Sequence, residues 1–363
     1  MQISGIAELP LHGGKCPKWL FPLMVNLSQR ICELIVDEYG EKELLRRLSD
    51  PYWFQAFGCV LGFDWHSSGL TTTTTGALKE ALKNTELGIG VAGGKGKASR
   101  KTPEEIMQIG DKLNLNEKKL QKLIKASKLA AKVDNSLLQD GFNLYHHSFF
   151  FTKNSWCIVQ QGMSEDYARR YHWLSSNLKN FLNEPHSAIV CDKKTKPLNL
   201  VAKEVRETQK CSVDLVRENP IHLKKYLTRK KFSIAQKKLF EFNGFSMPRD
   251  HFPEISADLK VLMEAYEKQP RNYEELVLIK GMGQKNLRAL ALISHLIYGT
   301  PLSWKDPVKY SFAHGGKDGW PYPVNKEKYR ESIEFLKQAV QEAKIGHKEK
   351  IKALKRIEKF YEG

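Results

Sequence analysis

With 363 residues, 41% of them hydrophobic and 27% charged, the chain can build a substantial core, and its length favours two or three domains. Lys and Arg number 58 against 41 Asp and Glu, and the resulting charge of +17 draws polyanions towards the protein. Composition points away from a membrane or secreted chain. No run approaches the roughly 18 apolar residues of a membrane helix, no basic start leads into a long apolar stretch, and Cys16, Cys32, Cys59, Cys157, Cys191 and Cys211 have no zinc-like spacing. A soluble, cytoplasmic protein with reduced thiols is expected.

In chain order, residues 1–22 read as irregular, because Pro10, Gly13, Gly14, Pro17 and Pro22 break any period. From 24 to about 47, Leu27, Ile31, Ile35 and Val36 share a helical stripe. Residues 51–76 are aromatic, then Gly/Thr-rich: Phe63-Asp64-Trp65-His66-Ser67-Ser68-Gly69 leads into the threonines of 71–75, and a short helix is predicted over 77–83. Gly93-Gly94-Lys95-Gly96-Lys97 reads as a loop. Thr102-Pro103-Glu104-Glu105 predicts a helix start with a capping Thr and Pro at the first position, and a Lys-rich helix follows over roughly 116–133. Residues 142–151 and 156–161 are the best strand candidates and predict a hairpin around 152–155. A helix over 165–180 and a short strand near 186–191 come next. Beyond 201 the segments 201–217, 222–228, 233–242, 255–267 and 273–298 read as helical. An aromatic, Gly/Pro-rich connection (301–325) leads to a long charged helix over 326–361.

The basic excess is clustered. Residues 93–133 hold eleven Lys/Arg against four Asp/Glu, and 201–245 hold eleven against five, as a surface that tracks phosphates requires. Within 273–298 the string Glu275-Leu276-Val277-Leu278-Ile279-Lys280-Gly281-Met282-Gly283-Gln284-Lys285-Asn286-Leu287-Arg288 resembles the helix-hairpin-helix DNA-binding superfamily. Two glycines permit a tight turn, and the N-terminus of the second helix then offers backbone N–H groups to a phosphate without reading the base. The resemblance implies nucleic-acid contacts from Lys280, Gly281, Met282, Gly283, Gln284, Lys285 and Arg288. The plainer alternative is a glycine turn between packed helices. The expected fold is an α/β (α+β) N-terminal domain with a small sheet (1–200). A mostly helical C-terminal domain containing the helix-hairpin-helix (201–325) and a C-terminal charged helix (326–363) complete it.

Chemistry is less legible. In glycosylases that carry this hairpin, a Lys of the second helix can be the nucleophile and an Asp about twenty residues later assists; Lys285 and Asp306 stand at comparable positions, although the residues around Asp306 depart from the usual sequence. A nuclease reading uses Asp64, His66, Asp140, His146 and His172, polar groups set among aromatics and glycines. It implies Mg2+ or Mn2+ as cofactor, with Gln160-Gln161-Gly162 standing where a metal-binding carboxylate and Lys would be. His146 and His147 are strand neighbours and point to opposite faces. Lys95 and Lys97 on their glycine loop are candidate phosphate contacts. Arg169 and Arg170, read at a helix start beside Tyr171 and Trp173, are candidates for phosphate contact and base stacking.

Leu9-Pro10-Leu11-His12-Gly13-Gly14-Lys15, Gln160-Gln161-Gly162-Met163 with Ala168-Arg169-Arg170-Tyr171-His172-Trp173, and Tyr310-Ser311-Phe312-Ala313-His314-Gly315-Gly316-Lys317-Asp318-Gly319 span nearly the whole chain. On these the chain resembles a prokaryotic family known only as a domain of unknown function, and that resemblance implies no activity. The working expectation is a DNA-processing or repair enzyme of nuclease type that holds duplex or branched DNA; composition does not separate DNA from RNA. The alternatives are a non-enzymatic DNA-binding module that recruits a partner through 326–361, and the glycosylase.

Overall fold

The computed structural model describes residues 16–63, 68–165, 167–191, 195–227 and 255–308, together with Glu334, Gln341, Ile351, Leu354 and Lys355. Asp64, His66, the helix expected over 233–242 and nearly all of 326–361 lie outside the described residues.

Four helices come first: α1 (Leu20–Tyr39), α2 (Glu41–Ser49), α3 (Pro51–Val60) and α4 (Gly69–Leu82). The single helix expected over 24–47 is broken at Gly40, whose φ of +81° a side chain would resist. In α3 the Asp50 carboxylate caps the N–H groups of Tyr52 and Trp53 and Pro51 takes the first position. All ten residues of α3 are buried, so it has no polar stripe by which its period could be read. The threonine run lies inside α4, not before a shorter helix. β-Branched side chains disfavour helix locally, but Thr71, Thr74 and Thr75 are buried, and the Thr75 hydroxyl donates to the Thr71 carbonyl at 2.8 Å.

The centre follows: β1 (Gly90–Lys95), α5 (Lys97–Arg100), α6 (Thr102–Lys112) and α7 (Glu117–Lys132). One π-helical turn (Val133–Leu137) then leads to β2 (Leu138–Gln139), β3 (Asn143–Phe151), β4 (Trp156–Met163), β5 (Ala168–Leu174), β6 (Ala188–Val190) and β7 (Leu198–Asn199). Thr102 is the first residue of α6 and not its cap: its hydroxyl donates to the Ser99 carbonyl. Five strands form one antiparallel sheet in the order β1-β3-β4-β5-β6, and β2 pairs separately with β7. The helix expected over 165–180 is in fact β5. Its Arg-Arg pair reads as surface, yet the strand is paired on both edges and all seven residues are buried.

Helices cover both faces of the sheet. On one, Ile31, Phe54, Phe57 and Leu78 of the first four helices pack on Val91, Phe150, Val159 and Leu174. On the other, Ile106, Leu123 and Val133 pack on Ala92, Phe149, Ile158 and Trp173. This second cluster runs without a break into α8 (Arg206–Arg217), α9 (Leu259–Lys268), α10 (Tyr273–Leu278) and α11 (Gln284–Tyr298), through Val213, Leu262, Leu276 and Leu287. One core therefore crosses residue 200. No helix among the described residues is long and apolar enough to cross a membrane.

Candidate nucleic-acid interface

Between α10 and α11 the chain turns through Ile279-Lys280-Gly281-Met282-Gly283. Gly281 has φ +80°, and a Cβ there would meet Val261 Cγ2 at 2.8 Å, so both backbone and space require glycine. Met282 is fully buried and plugs the turn into the core, with its N–H donating to Ile279 O at 3.1 Å. Asn286, also buried, braces the turn: its amide donates to Gly281 O at 3.2 Å and its carbonyl accepts from Asp258 N at 2.7 Å. Gly283 stands at the N-cap of α11 and offers no side chain to cap it. The first N–H groups of the helix therefore lack intrahelical partners at the positive end of its dipole. Lys280, Gly281 and Lys285 are exposed; Gly283, Gln284 and Arg288 are half-buried. Burial lowers the Arg288 pKa.

This turn is bound to the sheet. Lys132 Nζ donates to Met282 O at 2.6 Å, Gln139 Nε2 to Gln284 O at 3.0 Å, and Gln284 Nε2 to Asn135 O at 2.5 Å. The Asn135 side chain accepts from Leu144 N at 3.2 Å, and the next residue, Tyr145, accepts from Gly96 N at 2.8 Å. The 279–283 turn and the Gly/Lys loop thus lie at the same end of β3, with Lys95 and Lys97 exposed. The loop's glycines serve the fold as well. Gly93 N–H is taken by Glu105 at 2.7 Å, and a Cβ on Gly93 would sit 2.1 Å from His147 O. With the Gly93 and Gly96 N–H groups both engaged, the phosphate cradle expected from this loop is reduced to its ammonium groups.

The sheet's polar residues fall into separate buried clusters. Facing α3 and α4, Arg170 donates to Thr71 Oγ1 (3.2 Å) and Gln55 Oε1 (3.0 Å), with the Phe54 ring 4.7 Å from its guanidinium carbon. His146 lies against Thr75 Oγ1 (2.9 Å) and Ser148 Oγ (3.0 Å). Thr75 Oγ1 also lies 2.8 Å from the Thr71 carbonyl, so the hydroxyl links the helix backbone to the imidazole. Gln161 donates to Ser68 O (3.0 Å) and Tyr145 Oη (2.6 Å). His172 meets Leu48 O at 3.2 Å. Burial drives the His146 pKa down to about 3, with His147 and Lys95 adding to it, and holds His172 well below its usual range. Within the described residues, His146 Nδ1, Gln161 Oε1 and His172 Nε2 are buried without a hydrogen-bond partner.

On the opposite face Ser127 donates to His147 Nε2 (2.8 Å), and His147 Nδ1 donates to Gln160 Oε1 (2.6 Å). Gln160 in turn donates to Asp134, where His186 and Trp173 also converge. Burial pushes the Asp134 carboxyl up against the pull of these donors and lowers His147 to about 4. Ser127 has a base beside it but lies buried under the sheet. Nearby, Arg169 joins two carboxylates, Asp140 (2.9 Å) and Asp306 (2.9 Å). Burial works against its charge, yet Asp140 and Asp306 outweigh that and raise its pKa above the ordinary value. Burial raises the Asp140 carboxyl, while Arg169 opposes the shift.

The proposed catalytic set is therefore divided. His146 and His172 share one face; Asp140 lies on the other, its oxygens engaged by Phe142 N, Arg169 and Tyr171 Oη. That carboxylate does not fit the role of Mg2+ or Mn2+ ligand, and among the described residues no group of three or more His, Cys, Asp or Glu is placed to hold a metal ion. Asp306 is held by Arg169, Thr195 and Val308 N, not by Lys285. Arg169 and Arg170 are fully buried on a strand, not displayed on a helix to phosphates or bases. Gln55, Thr71, Thr75, Ser127, Asp134 and His186 were not among the candidate site residues of the sequence. Only the Thr71/Thr75 spacing, one helical turn, signals a shared face.

No curated protein and no solved structure matches the chain. A family model matches residues 5–324, and the chain belongs to that family, described as a protein of unknown function (DUF763).

Proposed function

We propose that this protein binds nucleic acid, DNA foremost, by holding backbone phosphates at the 279–285 turn. The observation that carries the reading is the uncapped N-terminus of α11, reached through the left-handed Gly281 and flanked by the exposed Lys280 and Lys285. Donors and charge converge there in a chain of net charge +17. This mode fixes the backbone and carries no base preference. A DNA-processing step is the narrower reading. It is favoured by the orphaned imidazole and amide atoms of His146 and Gln161 at the end of the sheet that adjoins the turn.

The test is fluorescence anisotropy on single-stranded, duplex and branched DNA and on RNA over a salt series, with gel lanes in EDTA, Mg2+ and Mn2+ for cleavage. Lys280→Gln with Lys285→Gln should flatten the salt slope by about 2, since each phosphate contact contributes about 0.9. Unchanged binding in that double variant defeats the hairpin reading; intact DNA in every gel lane defeats the processing reading alone.

A further inference from the structure

Apart from Lys132, which holds the 279–283 turn, and Lys125, which pairs with Glu274, the lysines of α7 have no role in the fold described above. The helix carries six lysines, Lys118, Lys119, Lys122, Lys125, Lys128 and Lys132, against one acid, Glu117. Its apolar residues Leu120, Leu123, Ile124 and Leu129 are buried, while Lys118, Lys122, Lys125 and Lys128 are exposed. Successive members of that row are three or four residues apart, so they are neighbours on one side of the helix. A helix face made only to stay soluble mixes signs, because Glu placed one turn from Lys stabilises and Lys one turn from Lys destabilises. Here three consecutive like-charge neighbours, 118 with 122, 122 with 125 and 125 with 128, are kept. Among the described residues, the carboxylate in an ion pair with the row is Glu274 of α10, 2.9 Å from Lys125 Nζ.

The row also has a direction. α7 ends at the hairpin turn, where Lys132 donates to Met282 O at 2.6 Å, so Lys128 stands one helical turn from the proposed phosphate site. From Lys118 to Lys128 the row spans about 15 Å at the rise of an α-helix. A duplex presents about one negative charge per 1.7 Å of axis, so that span faces several phosphates.

We infer that the exposed lysine row of α7 is a second backbone-binding surface, continuous with the 279–285 turn, so that one duplex is held along both. The inference rests on the nucleic-acid reading of that turn, and its partner is a double-stranded phosphodiester backbone, recognised by charge spacing and not by sequence. The self-repulsion of the row is relieved when phosphates lie against it.

The test compares the full chain with Lys118→Gln/Lys122→Gln/Lys128→Gln and, separately, with the hairpin double variant, on duplexes of 8 to 24 base pairs (about 27 to 82 Å). Lys125, paired with Glu274, is left in place. The triple variant should melt no lower than the parent and should flatten the salt slope by about 2 to 3. It should also reach full affinity on a duplex about four to five base pairs shorter. A triple variant that binds like the parent while the hairpin variant is weakened overturns the row and leaves the hairpin standing. Weakening by the triple variant alone overturns the continuity with the turn and the hairpin reading with it. No change in either variant overturns both.

Discussion

His146, His147 and His172 lie inside the molecule as neutral imidazoles, and their neutrality ties stability to pH. The His146 pKa falls from 6.5 in the open chain to about 3 on folding, because burial penalises the cation. Its contribution is complete above pH 6.5 and is lost as pH falls towards 3, since in that interval only the unfolded chain takes the proton. Between pH 7.5 and 5 the loss is about 2 kcal/mol. His146→Gln does not titrate, so the parent's stability relative to this variant should shrink by about that amount over the same interval in urea titrations. A pH-independent difference would mean that His146 is not held neutral by burial. His147 and His172 shift in the same direction. At this scale the surroundings of the candidate residues were not written in the string. Arg169 and Arg170 look like surface residues in the string, and only the strands and helices packed around β5 show why two guanidinium groups are fully buried.

Among the elements, the glycine turn between α10 and α11 was the most legible, because glycine spacing is a local requirement: the left-handed Gly281 is dictated by the turn itself. Its bracing is not local, and Asn286 shows this. Its amide and carbonyl join Gly281 O to Asp258 N, tying the turn to the start of α9. Asn286→Ala removes two part-buried hydrogen bonds, each worth about 0.5–1.5 kcal/mol. The variant changes no charge, yet DNA affinity should fall, because the α11 N-terminus loses its fixed orientation. Calorimetry and anisotropy on one preparation check both effects, and a destabilised variant with parental affinity would argue that charge alone binds. The helices α3 and α4 were less legible. A helix buried all round has no period to detect, and threonines in a helix contradict their own propensity until Thr71 and Thr75 are seen bonded to Arg170 and His146.

For the whole molecule, the apolar cluster that crosses residue 200 predicts a single cooperative unfolding transition. Far-UV circular dichroism and tryptophan fluorescence should give the same urea midpoint, and a fragment of 201–363 should lack near-UV signal once it has lost the partners of Leu276 and Leu287 on the sheet side. Separate midpoints would make the two halves independent domains. By itself the sequence determined the mixed α/β class with a small sheet, the β3–β4 hairpin, the lysine-rich α7 and the family. Each of these is written in local spacing, in charge or in motif strings spread along the chain. Tertiary structure decided which residues are buried, since burial depends on partners far away in sequence. It made a strand of 168–174, separated Asp140 from His146 across the sheet, engaged Asp306 with Arg169, and brought α7 to the hairpin turn.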